Sequence, residues 1–211
     1  MINQIYRKRN GRNQSGLSTI ELLMVVGVLV ILAAIALPQL IGMRRRMRAA
    51  AIPREIFSQL RYTRQQAMAQ QVTAGTKITF RYDNANKRIV IYGGNFGPAG
   101  DSKNRVVSLA SEGVYASEIM YGAPPTAPLS AQTLDDQTTL VPMPGTNYIE
   151  GSFHGDGSLH DPTSGNLILG GALMFYHSKD PEGTAAAISV LGTTGRIKMW
   201  RYSSSAGKFV E

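Results

Sequence analysis

Between Leu17 and Met43 the chain carries a single charged residue, Glu21. The apolar run from Leu17 to Gly42 exceeds the ~20 residues that cross the hydrocarbon of a bilayer as a helix. A carboxylate near one end of such a segment is costly in lipid, so it marks a position with a job. Deep in the run, Pro38 removes one helical hydrogen bond and crowds the preceding turn. Four cations, Arg7, Lys8, Arg9 and Arg12, precede the run without an acidic residue among them. Arg44, Arg45, Arg46 and Arg48 follow it directly, so the two flanks set no clear positive-inside orientation. An ordinary secretory signal predicts a shorter apolar core with small residues after it. Here Ala33-Ala34 is followed by more apolar chain.

The basic leader ending in glycine, the segment Gly16-Leu17-Ser18-Thr19-Ile20-Glu21 and the apolar helix together resemble the prepilin signal of type IV pilins and pseudopilins. The resemblance implies that a prepilin peptidase cuts on the cytoplasmic side between Gly16 and Leu17 and methylates the new amine. Leu17 stands where the family usually has Phe, and Ser18 replaces a common Thr. Glu21 and Pro38 fall where the family places them. In assembled pilins the matching carboxylate faces the free amine of a neighbouring subunit, here that of Leu17. An ammonium close by in low dielectric offsets much of the cost of a carboxylate in lipid. For Pro38 the implied role is a bend or locally melted helix that lets subunits pack. A plain single-pass anchor would explain the span but neither Gly16 nor the placement of Glu21. The arginines at 44, 45, 46 and 48 read either as snorkelling anchors at the outer membrane face or as contacts for acidic groups on neighbouring subunits.

Beyond the run, about 140 residues suffice for one domain with its own core. Gly 22 and Pro 10 suggest a β-rich head with many turns. Cysteine is absent, so an exported head relies on its core and not on a disulfide. Many major pilins close a C-terminal loop with a disulfide, and its absence here favours a minor pilin or pseudopilin. The net charge of +8 is unevenly spread: residues 73–211 hold eleven basic and twelve acidic side chains. The head therefore lacks a broad positive field, and nucleic-acid binding would have to rest on a local patch.

Ile52, Ile56, Leu60 and Ala67 recur at helical spacing with Arg and Gln between them, so the helix is expected to continue to about residue 72. Pro53 is expected to kink or break it. After Gly75 the period becomes two: residues 76–82 and 88–92 read as a hairpin around Asp83-Asn84-Ala85-Asn86. Further strands are expected at 105–109, 113–121, 147–154, 167–176, 185–191, 195–202 and 207–210, with an extended loop at 122–146. Within the superfamily, Leu60 to Met68, the hairpin after it, Phe153-His154-Gly155-Asp156-Gly157-Ser158 and Gly195-Arg196-Ile197-Lys198 resemble GspH/FimT-type proteins.

On a strand, Arg196, Lys198, Trp200 and Tyr202 share one face, while Ile197 and Met199 share the other. Cations beside aromatics suit nucleic acid through phosphate contacts and base stacking. Some FimT-type minor pilins carry a Gly-Arg-x-Arg motif here that binds DNA for uptake. Lys198 keeps the second charge but loses the fork that grips a phosphate. Arg201 adds a further cation to the segment. The alternative is a solvated strand face with Trp200 half-covered by the last hairpin. His154, Asp156, His160, Asp161 and His177 match no compact metal motif, and Gly155, Gly157 and Pro162 read as turns. The glycines of 93–100 lack the spacing and helix start of a phosphate loop. Neither a cofactor nor an enzymatic activity is expected.

The expected architecture is α+β: a long N-terminal helix, membrane-spanning and then amphipathic, packed on an antiparallel β-sheet head. It divides into a leader at 1–16, a transmembrane helix at 17–42, an amphipathic continuation at 43–72 and a β-rich extracytoplasmic head at 73–211. The resemblance implies a single-pass inner-membrane subunit with its head in the periplasm, later part of a type IV pilus or a type II secretion pseudopilus. Its implied partners are prepilin peptidase, other pilins or pseudopilins, the inner-membrane assembly platform and, in the alternative reading, DNA.

Overall fold

The computed structural model describes residues 18–71, 76–109, 118–122, 124–125, 134 and 148–211. The leader, with Gly16 and Leu17, lies outside them, as does most of the expected 122–146 loop. Two compact units divide the chain, Met1–Met43 and Arg44–Glu211.

One helix, α1 (Thr19–Ala69), supplies the described part of the first unit and enters the second. It runs unbroken through both Pro38 and Pro53, so the expected break at Pro53 does not occur. Pro53 is buried between Ile52 and Ile56, and packing on either side of it holds the turn that has lost one hydrogen bond. In the first unit every large apolar side chain from Ile20 to Met43 is 51–73% exposed. The helix is long and apolar enough to cross a membrane. Its second half is different in kind. Ala49, Ile52, Ile56, Leu60, Thr63 and Ala67 form a buried stripe at three- and four-residue steps. The one hydroxyl in the stripe is satisfied locally, since Thr63 Oγ1 donates to the Gln59 carbonyl at 2.7 Å.

The rest of the second unit is two five-stranded antiparallel sheets rather than one. The first contains β1 (Ile78–Asp83), β2 (Arg88–Tyr92), β3 (Arg105–Ser108), β5 (Tyr148–Phe153) and β6 (Leu159–His160), in the order β3-β2-β1-β5-β6. The second contains β4 (Ile119–Tyr121), β7 (Gly170–His177), β8 (Ala186–Leu191), β9 (Arg196–Ser203) and β10 (Lys208–Val210), in the order β10-β9-β8-β7-β4. A short helix, α2 (Pro181–Thr184), joins β7 to β8. Its N-cap Asp180 accepts from the Gly183 N–H at 3.1 Å, and proline fills the first position. The expected strand at 113–121 is described only over Ile119–Tyr121, and β7 begins three residues later than the expected start at 167.

One core joins the helix to both sheets. The α1 stripe packs with Phe80 and Tyr82 of β1, Ile89 and Ile91 of β2, Phe153 of β5, Phe175 of β7 and Ile188 of β8. Each fully buried side chain of this size contributes roughly 1.5–3 kcal/mol. The opposite face of the second sheet is also covered. Ala172, Met174, Ala187 and Phe209 form a second cluster with Leu134, and Trp200 and Tyr202 pack against it.

Candidate functional site

Two groups of residues carry functional expectations within the described chain: Glu21 and Pro38 on the first half of α1, and the basic and aromatic residues of β9. Glu21 stands in the first turn of α1, where the helix dipole favours a negative charge. Its side chain is exposed and has no hydrogen-bond or ion-pair partner among the described residues. Among the described residues nothing therefore neutralises the one charge in the apolar run.

On β9 the expected alternation holds, but the side chains go to four different places. Ile197 and Met199 pack on the main core. Trp200 and Tyr202 cover the second cluster on the other face. Trp200 Nε1 donates to the buried Ser189 Oγ at 2.8 Å, and the Tyr202 ring meets Phe209 edge-on at 5.4 Å. Lys198 lies 5.2 Å over the Trp200 ring and bridges to Glu211 at 2.8 Å. The aromatic face thus serves as the cover of a small core and already holds its cation.

Arg201 projects to the opposite face. With Arg46 and Arg54 of α1 and Gly183 to Ala186 it lines a cleft of about 430 Å³. Arg46 reaches Asp180 there at 3.3 Å. Arg196, at the start of β9, lines a separate open cleft of about 560 Å³ together with Arg61 and Arg64 of α1. The reading of β9 as one five-residue surface misses this division, and it misses Arg61 and Arg64. The available signal was their spacing of three on a helix, which puts both on one side.

Gly195 makes the second cleft geometrically feasible. It adopts φ +61°, and a Cβ there would lie 1.8 Å from the Gly157 carbonyl oxygen. The turn between β8 and β9 can therefore close on the 154–158 turn only with glycine at this position. Arg64 locks the junction, with Nη2 donating to the Thr194 carbonyl at 3.0 Å and Nε to the Gly157 carbonyl at 3.4 Å.

The histidines and carboxylates weighed as metal ligands fall into separate local networks. His154 and His160 stack on each other, with ring centroids 3.6 Å apart. Asp161 caps its own turn, accepting from the Thr163 and Ser164 N–H groups at 2.8 and 2.7 Å. These two bonds hold its carboxyl below the usual range. His177 is buried and bonded through Nε2 to Glu118 at 2.9 Å. Its Nδ1 accepts the Lys179 N–H at 3.1 Å. Among the described residues no three of His, Cys, Asp and Glu converge as a metal site would require.

Compared with solved structures, the fold is similar to the crystal structure of the type IV minor pilin FimU of Pseudomonas aeruginosa. That match has 16% sequence identity and a TM-score of 0.43, and covers 79% of this chain and 96% of that one. No family model matches the chain, and no curated protein matches it.

Proposed function

We propose that this protein is a minor pilin or pseudopilin, a membrane-anchored structural subunit that enters a type IV pilus or type II secretion pseudopilus through its N-terminal helix. The observation that carries the reading is the division of α1. Its first half exposes mainly apolar surface and a carboxylate that has no partner among the described residues, while its second half is the spine of the head's core. The sequence Gly16-Leu17 ahead of the helix supports processing by a prepilin peptidase, which leaves Leu17 with a free, methylated amine. Glu21 then pairs with that amine on a neighbouring subunit, and Pro38 eases packing of the helices in the filament. Assembly on an inner-membrane platform places the head in the periplasm.

Glu21→Val tests this reading. The substitution makes the helix more apolar, so membrane insertion and cleavage continue. Recovery in sheared filament fractions should drop, because the neighbour's amine loses its partner in low dielectric. Normal recovery of the variant would refute the pairing role.

A second reading, DNA binding, is favoured by the meeting of Arg196 with Arg61 and Arg64 at one cleft. Here phosphate contacts, rather than stacking on Trp200, supply the affinity. Arg196→Ala should reduce the salt slope of DNA binding by about one unit, and Trp200→Ala should leave it unchanged. Unaltered binding by Arg196→Ala would exclude this role.

A further inference from the structure

The 154–160 hairpin contains a charge arrangement that the filament role does not use. The register pairs Phe153 with Leu159 and Ser152 with His160 across β5 and β6. His154 and His160 are therefore diagonal neighbours on the face opposite the core. Their rings stack with centroids 3.6 Å apart and planes 8° from parallel.

Both ring nitrogens of His160 are engaged. Nδ1 donates to the Gly165 carbonyl at 3.0 Å. Nε2 lies 2.8 Å from Ser158 Oγ, which also bonds Asp156, and Asp156 Oδ1 accepts the Ser158 N–H at 2.9 Å.

His154 faces the His160 ring, and Lys77, just ahead of β1, adds a further positive influence while its ammonium donates to the Pro162 carbonyl. Asp156 is the carboxylate on the hairpin itself, and Asp161 lies on the turn that follows. Arg64 of α1 bonds the Gly157 carbonyl at 3.4 Å. Burial, then the charges of His160 and Lys77, push the His154 imidazole below its usual range, with Asp156 opposing.

We propose that the stacked pair tolerates at most one proton, and that protonation of both rings unlatches β6 from the edge of the first sheet. Two imidazolium rings at stacking distance beside an ammonium repel strongly in a half-buried site. The β5–β6 ladder, buried Leu159 and a set of local bonds hold the strand against that repulsion. The Leu159 N–H donates to the Gly192 carbonyl at 2.7 Å, the Ile168 N–H to the Leu159 carbonyl at 2.9 Å, and an isolated bridge joins His160 to Leu167. Release of β6 exposes Leu159, now buried, next to Leu167 and Leu169, which are already exposed. The acid-opened edge is thus both apolar and able to pair with another strand.

The sign follows from linkage. The unfastened edge binds a proton on His154 near the free-imidazole value of about 6.5, while the latched form resists it. Latching is complete above that pH and weakens as the pH falls. Hydrogen exchange of the full-length protein in detergent micelles, from pH 7.5 to 4.5 and corrected for intrinsic exchange, reads this directly. Protection of the 154–168 segment should fall by up to about tenfold per pH unit below 6.5, while that of β8 stays constant. His154→Phe keeps a stacking ring without a proton and should flatten the profile. His154→Gln should flatten it too, at lower overall protection. A wild-type profile already flat, or the same fall in both variants, would overturn the proposal.

Discussion

The two halves of α1 share one backbone and behave as different materials. From Ile20 to Met43, apart from Glu21 and Gln39, the helix is apolar on all sides and every large apolar side chain is exposed. From Ala49 to Ala67 the apolar residues narrow to a stripe, and the stripe is buried. A helix apolar all round needs an apolar surrounding, whereas a striped helix needs only a domain on one side. The carboxylates differ in the same way. Asp83 in the head is held by Asn86 Nδ2 at 2.7 Å and Arg88 Nε at 3.1 Å, while Glu21 has no such partner among the described residues. What the head completes within itself, the first half leaves open among the described residues.

Matched truncations give the largest test of that contrast. Ile56→Ala removes a fully buried side chain and should lower head stability by about 2–5 kcal/mol. Leu29→Ala, at a residue 58% exposed, should change it by less than about 0.5 kcal/mol. Denaturant melts of the full chain in detergent, followed by Trp200 fluorescence, distinguish the two. Equal losses would mean that the first half also packs on the head.

A smaller effect concerns the carboxylates. Burial pushes the Asp83 carboxyl up, but hydrogen bonds from the Asn86 side chain and backbone, with Arg88, outweigh it and hold the group below its usual range. Its contribution is therefore present above the unfolded value of about 3.9 and is lost as the pH falls further. Asp83→Asn should lower head stability at neutral pH, and the gap to wild type should close in acid. A gap that persists at pH 2.5 would mean that the charge is not what stabilises the β1–β2 turn.

Much of this division is legible in the sequence. Ile52, Ile56, Leu60 and Ala67 announce the stripe by spacing alone, and the alternation along β9 separates Ile197 and Met199 from Trp200 and Tyr202. What covers each face is not local information. Trp200 gains its cover from Ser189 of β8 and from the cluster with Phe209, contacts set by tertiary pairing. The expected α+β architecture with an antiparallel head is present, but its division into two sheets is tertiary information, because hairpins predict neighbours and not where a sheet ends. β6 escaped notice because two residues show no period. His154 and His160 looked unrelated in spacing. They meet because the turn at Gly155–Gly157 sets them diagonally across a hairpin. At Pro53 the helix is not broken, since tertiary packing on both of its flanks outweighs a local penalty of about 3 kcal/mol.

The central claim is that the first half of α1 is a processed membrane anchor that carries the chain into a filament. Intact mass spectrometry of the protein recovered from sheared filaments tests it most directly. The account predicts a chain that begins at Leu17, carries one added methyl and lacks residues 1–16. A chain that retains Met1, or one recovered only from the aqueous fraction, would contradict it.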